Sequence, residues 1–219
     1  MNKIKLIDSL ISISDMNLKT VVKVGNISNL SDARYCAGYG VNLLGFNLDP
    51  SQPDSISIET AKEIMGWVAV DNVVLECATL SSSEILGIIK QFDKPIVQTD
   101  DLSITQSLAN ESIEVIFRFF ANSLSELKDM LESINSYQVK YLLIECESPA
   151  FFKEIDACIE SSNAEIPILK GFGLTEEIAI STAEEKNYAG ISLKGSIEEK
   201  AGYKDYDELA EILEALEDD

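Results

Sequence analysis

Any proton transfer in this 219-residue chain must fall to Asp, Glu, Lys, Tyr or Cys, because the sequence contains no histidine. That absence removes the usual proton shuttle near neutral pH, the commonest zinc ligand and any Ser-His or Cys-His nucleophile pair. Cys36, Cys77, Cys146 and Cys158 show no CxxC or paired spacing. They read as small buried hydrophobes of a reduced compartment. With no metal-ligand spacing and no dinucleotide fingerprint, neither a metal nor an organic cofactor is expected. Two glycine-containing stretches, Gly171-Phe172-Gly173-Leu174-Thr175 and Lys194-Gly195-Ser196-Ile197, could turn backbone N–H groups and a helix N-terminus toward a phosphate. The same glycines serve an ordinary turn, and the residues alone leave both readings open.

The elements that must position these groups alternate along the whole chain. Short β-rich runs fall at Val21 to Gly25, Leu43 to Phe46, Val73 to Glu76, Pro95 to Gln98, Val115 to Phe119, Tyr141 to Glu145, Ile166 to Gly171 and Gly190 to Leu193. Between them lie amphipathic segments, among them Ser31 to Tyr39, Ser82 to Phe92, Ser123 to Ser136, Thr175 to Lys186 and Tyr206 to Leu216, with apolar residues three and four apart. Ser31, Ser82, Thr175 and Asp205 are the expected helix caps. Repeated βα units imply an α/β protein with a parallel sheet. Eight of them close naturally into a single (β/α)8 TIM barrel of the phosphate-binding type, preferred over an open doubly wound sheet because no GxGxxG or Walker loop follows the first strand and the two glycine stretches fall after strands seven and eight. Residues 21–219 would form that barrel. Residues 1–20 would be an N-terminal extension packing on it, as an extra strand or helix over the floor.

Composition bounds the partners. The 46% hydrophobic content supplies one sizeable core, and 38 acidic against 17 basic side chains give a formal charge of -21. Only Arg34 and Arg118 are arginines. Such an excess repels phosphate backbones and anionic headgroups, so neither nucleic acid nor a membrane surface is an expected partner. The acidic stretch from Glu176 to Asp219 reads as a solvated helix face and tail. An apolar patch, Leu10 to Ile13, is closed by Asp8 and Asp15, too short for a signal segment or a span. A cytoplasmic monomer or homodimer is expected.

Five patches resemble phosphoribosylanthranilate isomerase. Lys23-Val24-Gly25-Asn26-Ile27, Asn29 to Ala33, Leu43 to Phe46 and Gln52-Pro53-Asp54 follow that family's opening frame of strand, helix start, strand and Ser-Pro-Arg loop. Val97-Gln98-Thr99-Asp100 resembles Val-Gln-Leu-His-Gly after strand four. Tyr141-Leu142-Leu143-Ile144-Glu145 resembles the strand ending in the catalytic aspartate. Gly173-Leu174-Thr175 stands for Gly-Gly-Leu-Thr. Gly190 to Glu198, with Gly202-Tyr203-Lys204-Asp205, stands for the family's eighth strand and its loop.

The resemblance implies an Amadori rearrangement of a phosphoribosylamine in tryptophan biosynthesis, with a protonated acid on one side of the sugar and a base on the other. It places Gly25 where the family has its catalytic cysteine, Asp54 at its arginine, Glu145 at its acid and Ser192 at an aspartate. It also places Phe172 where a glycine would let backbone approach a phosphate. Glu145 and Lys23 are the remaining catalytic candidates, Lys23 as a desolvated amine. Gly171, Gly173, Lys194, Gly195 and Ser196 are the candidates for holding a small phosphorylated sugar-like ligand. With a base lost at Gly25 and a charge inverted at Asp54, isomerase activity is expected to be impaired or lost. The alternatives are a non-catalytic phosphate-ligand sensor or protein-interaction relative, or a different sugar-phosphate enzyme. Restoring Gly25→Cys and Asp54→Arg together is expected to recover turnover only if the rest of the pocket survives.

Overall fold

The computed structural model describes residues 17–70, 72–195, 198–200, 203–204 and 207–218. Eight parallel strands pair in sequence order and close on themselves: β1 Val21–Gly25, β2 Leu43–Asn47, β3 Asn72–Glu76, β4 Ile96–Thr99, β5 Val115–Phe120, β6 Tyr141–Glu145, β7 Ile168–Gly171 and β8 Gly190–Lys194. β8 returns to β1 with Lys23 opposite Ser192 and Gly25 opposite Lys194. The helices are α1 Leu30–Gly38, α2 Ile58–Met65, α3 Ser82–Ile89, α4 Leu102–Asn110, α5 Leu124–Ser133, α6 Phe152–Glu160, α7 Glu176–Glu184 and α8 Asp207–Ala215. A short antiparallel pair, β9 Glu198–Lys200 and β10 Tyr203–Lys204, lies between β8 and α8. The expected (β/α)8 barrel is the observed fold.

Local chemistry sets the helix starts. Asn29 caps α1 by accepting from the Asp32 N–H, Ser81 and Glu84 form a capping box on α3, and Thr175 caps α7 as expected. The expected caps Ser31 and Ser82 instead lie inside α1 and α3. In each case a better placed polar side chain one or two residues earlier reaches the free amide. Asp205 lies outside the described residues.

Strand periodicity divides the barrel interior into an apolar layer and a polar layer. Leu43, Val74, Ile96, Ile116, Leu143 and Leu169 fill the middle, with Val21 and Tyr141 packed against them. Two residues further along each strand, the inward positions are Lys23, Gly45, Glu76, Gln98, Arg118, Glu145 and Gly171, and Ser192 faces Lys23 from β8. This second layer lies toward the strands' C-terminal ends, the end at which barrels of this kind carry their sites. The outward faces pack under the helices. There Lys170 donates to Asp156 (2.6 Å), which also accepts from the Tyr188 hydroxyl (2.5 Å).

At the opposite end, Leu18 bridges Glu217 in antiparallel fashion, and the Lys19 N–H donates to the Leu216 carbonyl (2.9 Å). The described start of the chain is thus tied to the end of α8. The rest of the expected N-terminal extension, residues 1–16, lies outside the described residues. No described helix is long and apolar enough to cross a membrane.

Candidate functional site at the barrel mouth

Lys23 is 2% exposed. An ammonium so placed is costly unless it is paired and hydrogen-bonded. Its partner is Glu76 at the end of β3, with Nζ to Oε1 at 2.5 Å. The second carboxylate oxygen accepts the Asn26 backbone N–H at 2.9 Å. Asn26 sits at φ 59°, in the left-handed region that asparagine tolerates better than most residues, and this turns its amide toward the carboxylate. Burial by itself would raise the Glu76 carboxyl. The Lys23 charge and hydrogen bond, the Asn26 amide and the more distant Arg118 outweigh it and hold the group below the ordinary carboxylate range.

Two glycines make the room. A Cβ on Gly25 would lie 2.6 Å from Lys23 Nζ and closer still to Glu76 Oε1. A Cβ on Gly45 would lie 2.5 Å from Glu76 Oε1 and 2.9 Å from the Gly25 Cα. The Glu76 carboxylate therefore occupies the space into which any side chain at position 25 would project. Glycine at 25 and 45, glutamate at 76 and lysine at 23 form one fitted group.

The other charges at the mouth are paired as well. Arg118 donates to both oxygens of Asp100 (2.8 and 2.7 Å) and lies over the Phe120 ring, 4.7 Å from its centroid. It stands within the field of both Glu76 and Glu145. Lys194, largely exposed, is 3.7 Å from Glu145, whose carboxylate is nearly buried above Gly171. Each of these cations faces a carboxylate. Gln98, on β4 beside Glu76, is 2% exposed, and its side-chain oxygen has no hydrogen-bond partner among the described residues.

The loops around the mouth are anchored by Asp49, which is fully buried. It accepts from the Ser51 N–H and hydroxyl and from the Thr79 N–H (2.7 Å) and hydroxyl (2.8 Å), tying the loop after β2 to the loop after β3. Asp49→Ala would orphan these donors and is expected to cost about 2–4 kcal/mol in urea denaturation, with Asp49→Asn milder. Asp54 lies further out on the same loop, exposed and at φ 60°.

The structure brings together Lys23, Gly25, Glu145, Gly171, Ser192 and Lys194 at the mouth, while Asp54 is on its rim. Gly173, at φ 60°, packs against the Phe152 ring, which a Cβ would strike at 2.6 Å. Phe172 turns outward into the layer beneath α6, buried beside Phe152 and the Lys170 ammonium, so its ring does not cover the mouth. The Gly195 N–H donates to the Gly25 carbonyl at 2.8 Å, which commits that amide to the β8–β1 seam. Ser196 lies outside the described residues. Cys36 and Cys77 are fully buried, and burial pushes each thiol up to about 12, whereas Cys146, directly after β6 and half-buried, donates to the Ser148 carbonyl. Among the described residues no cluster of His, Cys, Asp or Glu is arranged to hold a metal ion.

Sequence reasoning missed Glu76. The available signal was the inward-facing Lys23, which demands a carboxylate on the same level of the barrel, and Glu76 and Glu145 were the strand-end candidates.

No family model matches the chain. The chain is 25% identical over 207 residues to an N-(5'-phosphoribosyl)anthranilate isomerase from Gloeothece citriformis (strain PCC 7424), covering 89% of this chain and 93% of that relative. Its fold matches the crystal structure of phosphoribosyl anthranilate isomerase from Thermotoga maritima with a TM-score of 0.73 at 18% identity, over 90% of this chain and 98% of that one. A second isomerase structure, in complex with reduced 1-(o-carboxyphenylamino)-1-deoxyribulose 5-phosphate, matches with a TM-score of 0.71, also at 18% identity and with the same coverage.

Proposed function

We propose that this chain, a diverged relative of the phosphoribosylanthranilate isomerases, has kept the barrel and a polar mouth but no longer carries out the Amadori rearrangement at a useful rate. The observation behind this reading is the placement of Glu76. Its carboxylate and the Lys23 ammonium fill the volume that a proton-removing side chain at position 25 would need.

Neither member of the pair is a good substitute base. Lys23 is held against the Glu76 carboxylate 2.5 Å away, so its nitrogen is directed at that oxygen and not at a substrate carbon. Glu76 is held on the acidic side of its ordinary range by Lys23 and the Asn26 amide, and a carboxylate stabilised in its charged form is a weak acceptor for a carbon-bound proton. Glu145 keeps the place of the acid, beside Lys194. An acid without an opposing base completes only half of the rearrangement.

The charge pattern supports the same reading. Lys23, Arg118 and Lys194 each face a carboxylate, so the described mouth holds no surplus cation for an anionic substrate. The exposed Asp54 on its rim adds negative charge. What remains is a charge-paired mouth, which fits a ligand-binding or sensing role better than a catalytic one. The start of α7 at Thr175 and the turn at Gly173 are candidates for a phosphate group.

Growth complementation tests this in cells. Expression in a tryptophan auxotroph lacking the isomerase is expected to give no growth without tryptophan. Robust growth, with the protein as the sole source of the activity, would overturn the proposal.

A further inference from the structure

The recess at the base of the mouth is built as an anion site. The Lys23 ammonium, almost wholly buried, supplies the charge, and the Asn26 N–H, turned inward by its left-handed backbone, supplies a directed donor. The Cα atoms of Gly25 and Gly45 form walls with no side chain, and each would lose its fit to the carboxylate if it gained a Cβ. These groups all converge on one object, the Glu76 carboxylate. We infer that this recess is a carboxylate-binding subsite which Glu76 occupies as its own tethered ligand, and which takes a free small carboxylate once the tether is cut.

The inference rests on the same mouth as the functional reading but not on the absence of turnover. Isomerase activity in the wild-type protein would overturn the functional reading and leave this one standing. In the wild type, Glu76 acts as an internal competitor. Its effective concentration at the recess is that of a group already on the scaffold, so a free carboxylate displaces it only with difficulty.

Chemical rescue tests the inference. Glu76→Ala removes a CH2 and a carboxylate, the same heavy atoms as acetate. It leaves a buried ammonium unpaired, and its melting temperature is expected to fall by roughly 6–15 °C. Acetate should then raise the melting temperature saturably, recovering about half or more of the loss, as expected for a ligand that binds only the folded state. Formate should act more weakly because it leaves part of the space empty, and propionate more weakly because it overlaps the residual Cβ. Chloride at matched ionic strength, the wild type, and a Glu76→Gln variant should show no comparable rise. Gly25→Ala combined with Glu76→Ala should abolish the rescue by filling the recess.

If Glu76→Ala does not fold alone, refolding it with and without acetate supplies the readout. Recovery of native circular dichroism with acetate but not with chloride supports the inference, and equal recovery or none overturns it. In the folded variant, an acetate effect no larger than that of chloride, or one that survives Gly25→Ala, also overturns it.

Discussion

Gly25→Cys alone is expected to lower the unfolding free energy by about 3–5 kcal/mol and to yield no isomerase turnover. The new Cβ meets Glu76 Oε1 and Lys23 Nζ, and the thiol extends further into the same volume. To admit it, the carboxylate must leave Lys23 and the Asn26 amide, and the ammonium is left without its counter-charge. Overpacking alone would cost about 1–3 kcal/mol, so the broken pair is the larger effect. Combining Gly25→Cys with Glu76→Ala removes the conflict. The double variant should be more stable than the sum of the single losses predicts, by about 2 kcal/mol or more, because both changes act on one contact. Its thiol would lie beside Lys23 and should titrate below the usual value of about 8.5. Urea denaturation of the four species closes this cycle. Additive losses would show that Glu76 does not occupy the space at position 25. Restoring the thiol and an arginine at position 54 is therefore insufficient by itself, since Glu76 must also go.

Lys23→Ala carries the second large effect. It removes the ammonium and leaves Glu76 as a buried carboxylate with one amide donor, at an expected cost near neutral pH of about 3–5 kcal/mol. The pH dependence should reverse. In the wild type the folded carboxyl lies below its unfolded value near 4.5, so its contribution is present above that value and is lost as pH falls through the folded value. In Lys23→Ala the main opposing influence is gone, and burial pushes the carboxyl up. Protonation then relieves the strain. The stability gap between variant and wild type should narrow steadily as pH falls from about 7 toward about 4. Urea midpoints across that range would show it. Parallel profiles would mean that Lys23 does not pair with Glu76.

The barrel was legible in the sequence because the strands recur as short apolar runs between amphipathic segments, and β1 and β6 have the expected bounds. The level of the polar layer was also implicit, since alternation places Lys23, Glu145 and Ser192 on the inner face once any one of them is placed. The cross-barrel contact was not legible. Glu76 stands 53 residues from Lys23, and a glutamate at the end of a strand reads as a solvated group until its neighbours are known. Gly45 reads as an ordinary strand-interior glycine, but a Cβ there would meet both the Glu76 carboxylate from another strand and the Gly25 Cα. Gly195 was a candidate phosphate donor from its place after strand eight. Only the seam with β1 shows that its amide already serves the Gly25 carbonyl. Phe172 looked like an obstruction by residue type, yet its ring is directed to the helix layer by Phe152 and Lys170. For Glu76, Gly45 and Gly195 the missing information was the identity of a partner distant in sequence, not the local conformation.

The most direct measurement is a single-turnover reaction of purified wild-type protein, in excess, with phosphoribosylanthranilate. In that regime a slow residual step is visible even if product release is poor. Conversion no faster than in buffer is expected, with Glu76 and Lys23 still joined where the proton acceptor would have to stand. Conversion well above the buffer rate that is lost when Glu145 is changed to Gln would contradict it, and would show that the rearrangement survives with a base from elsewhere in the mouth.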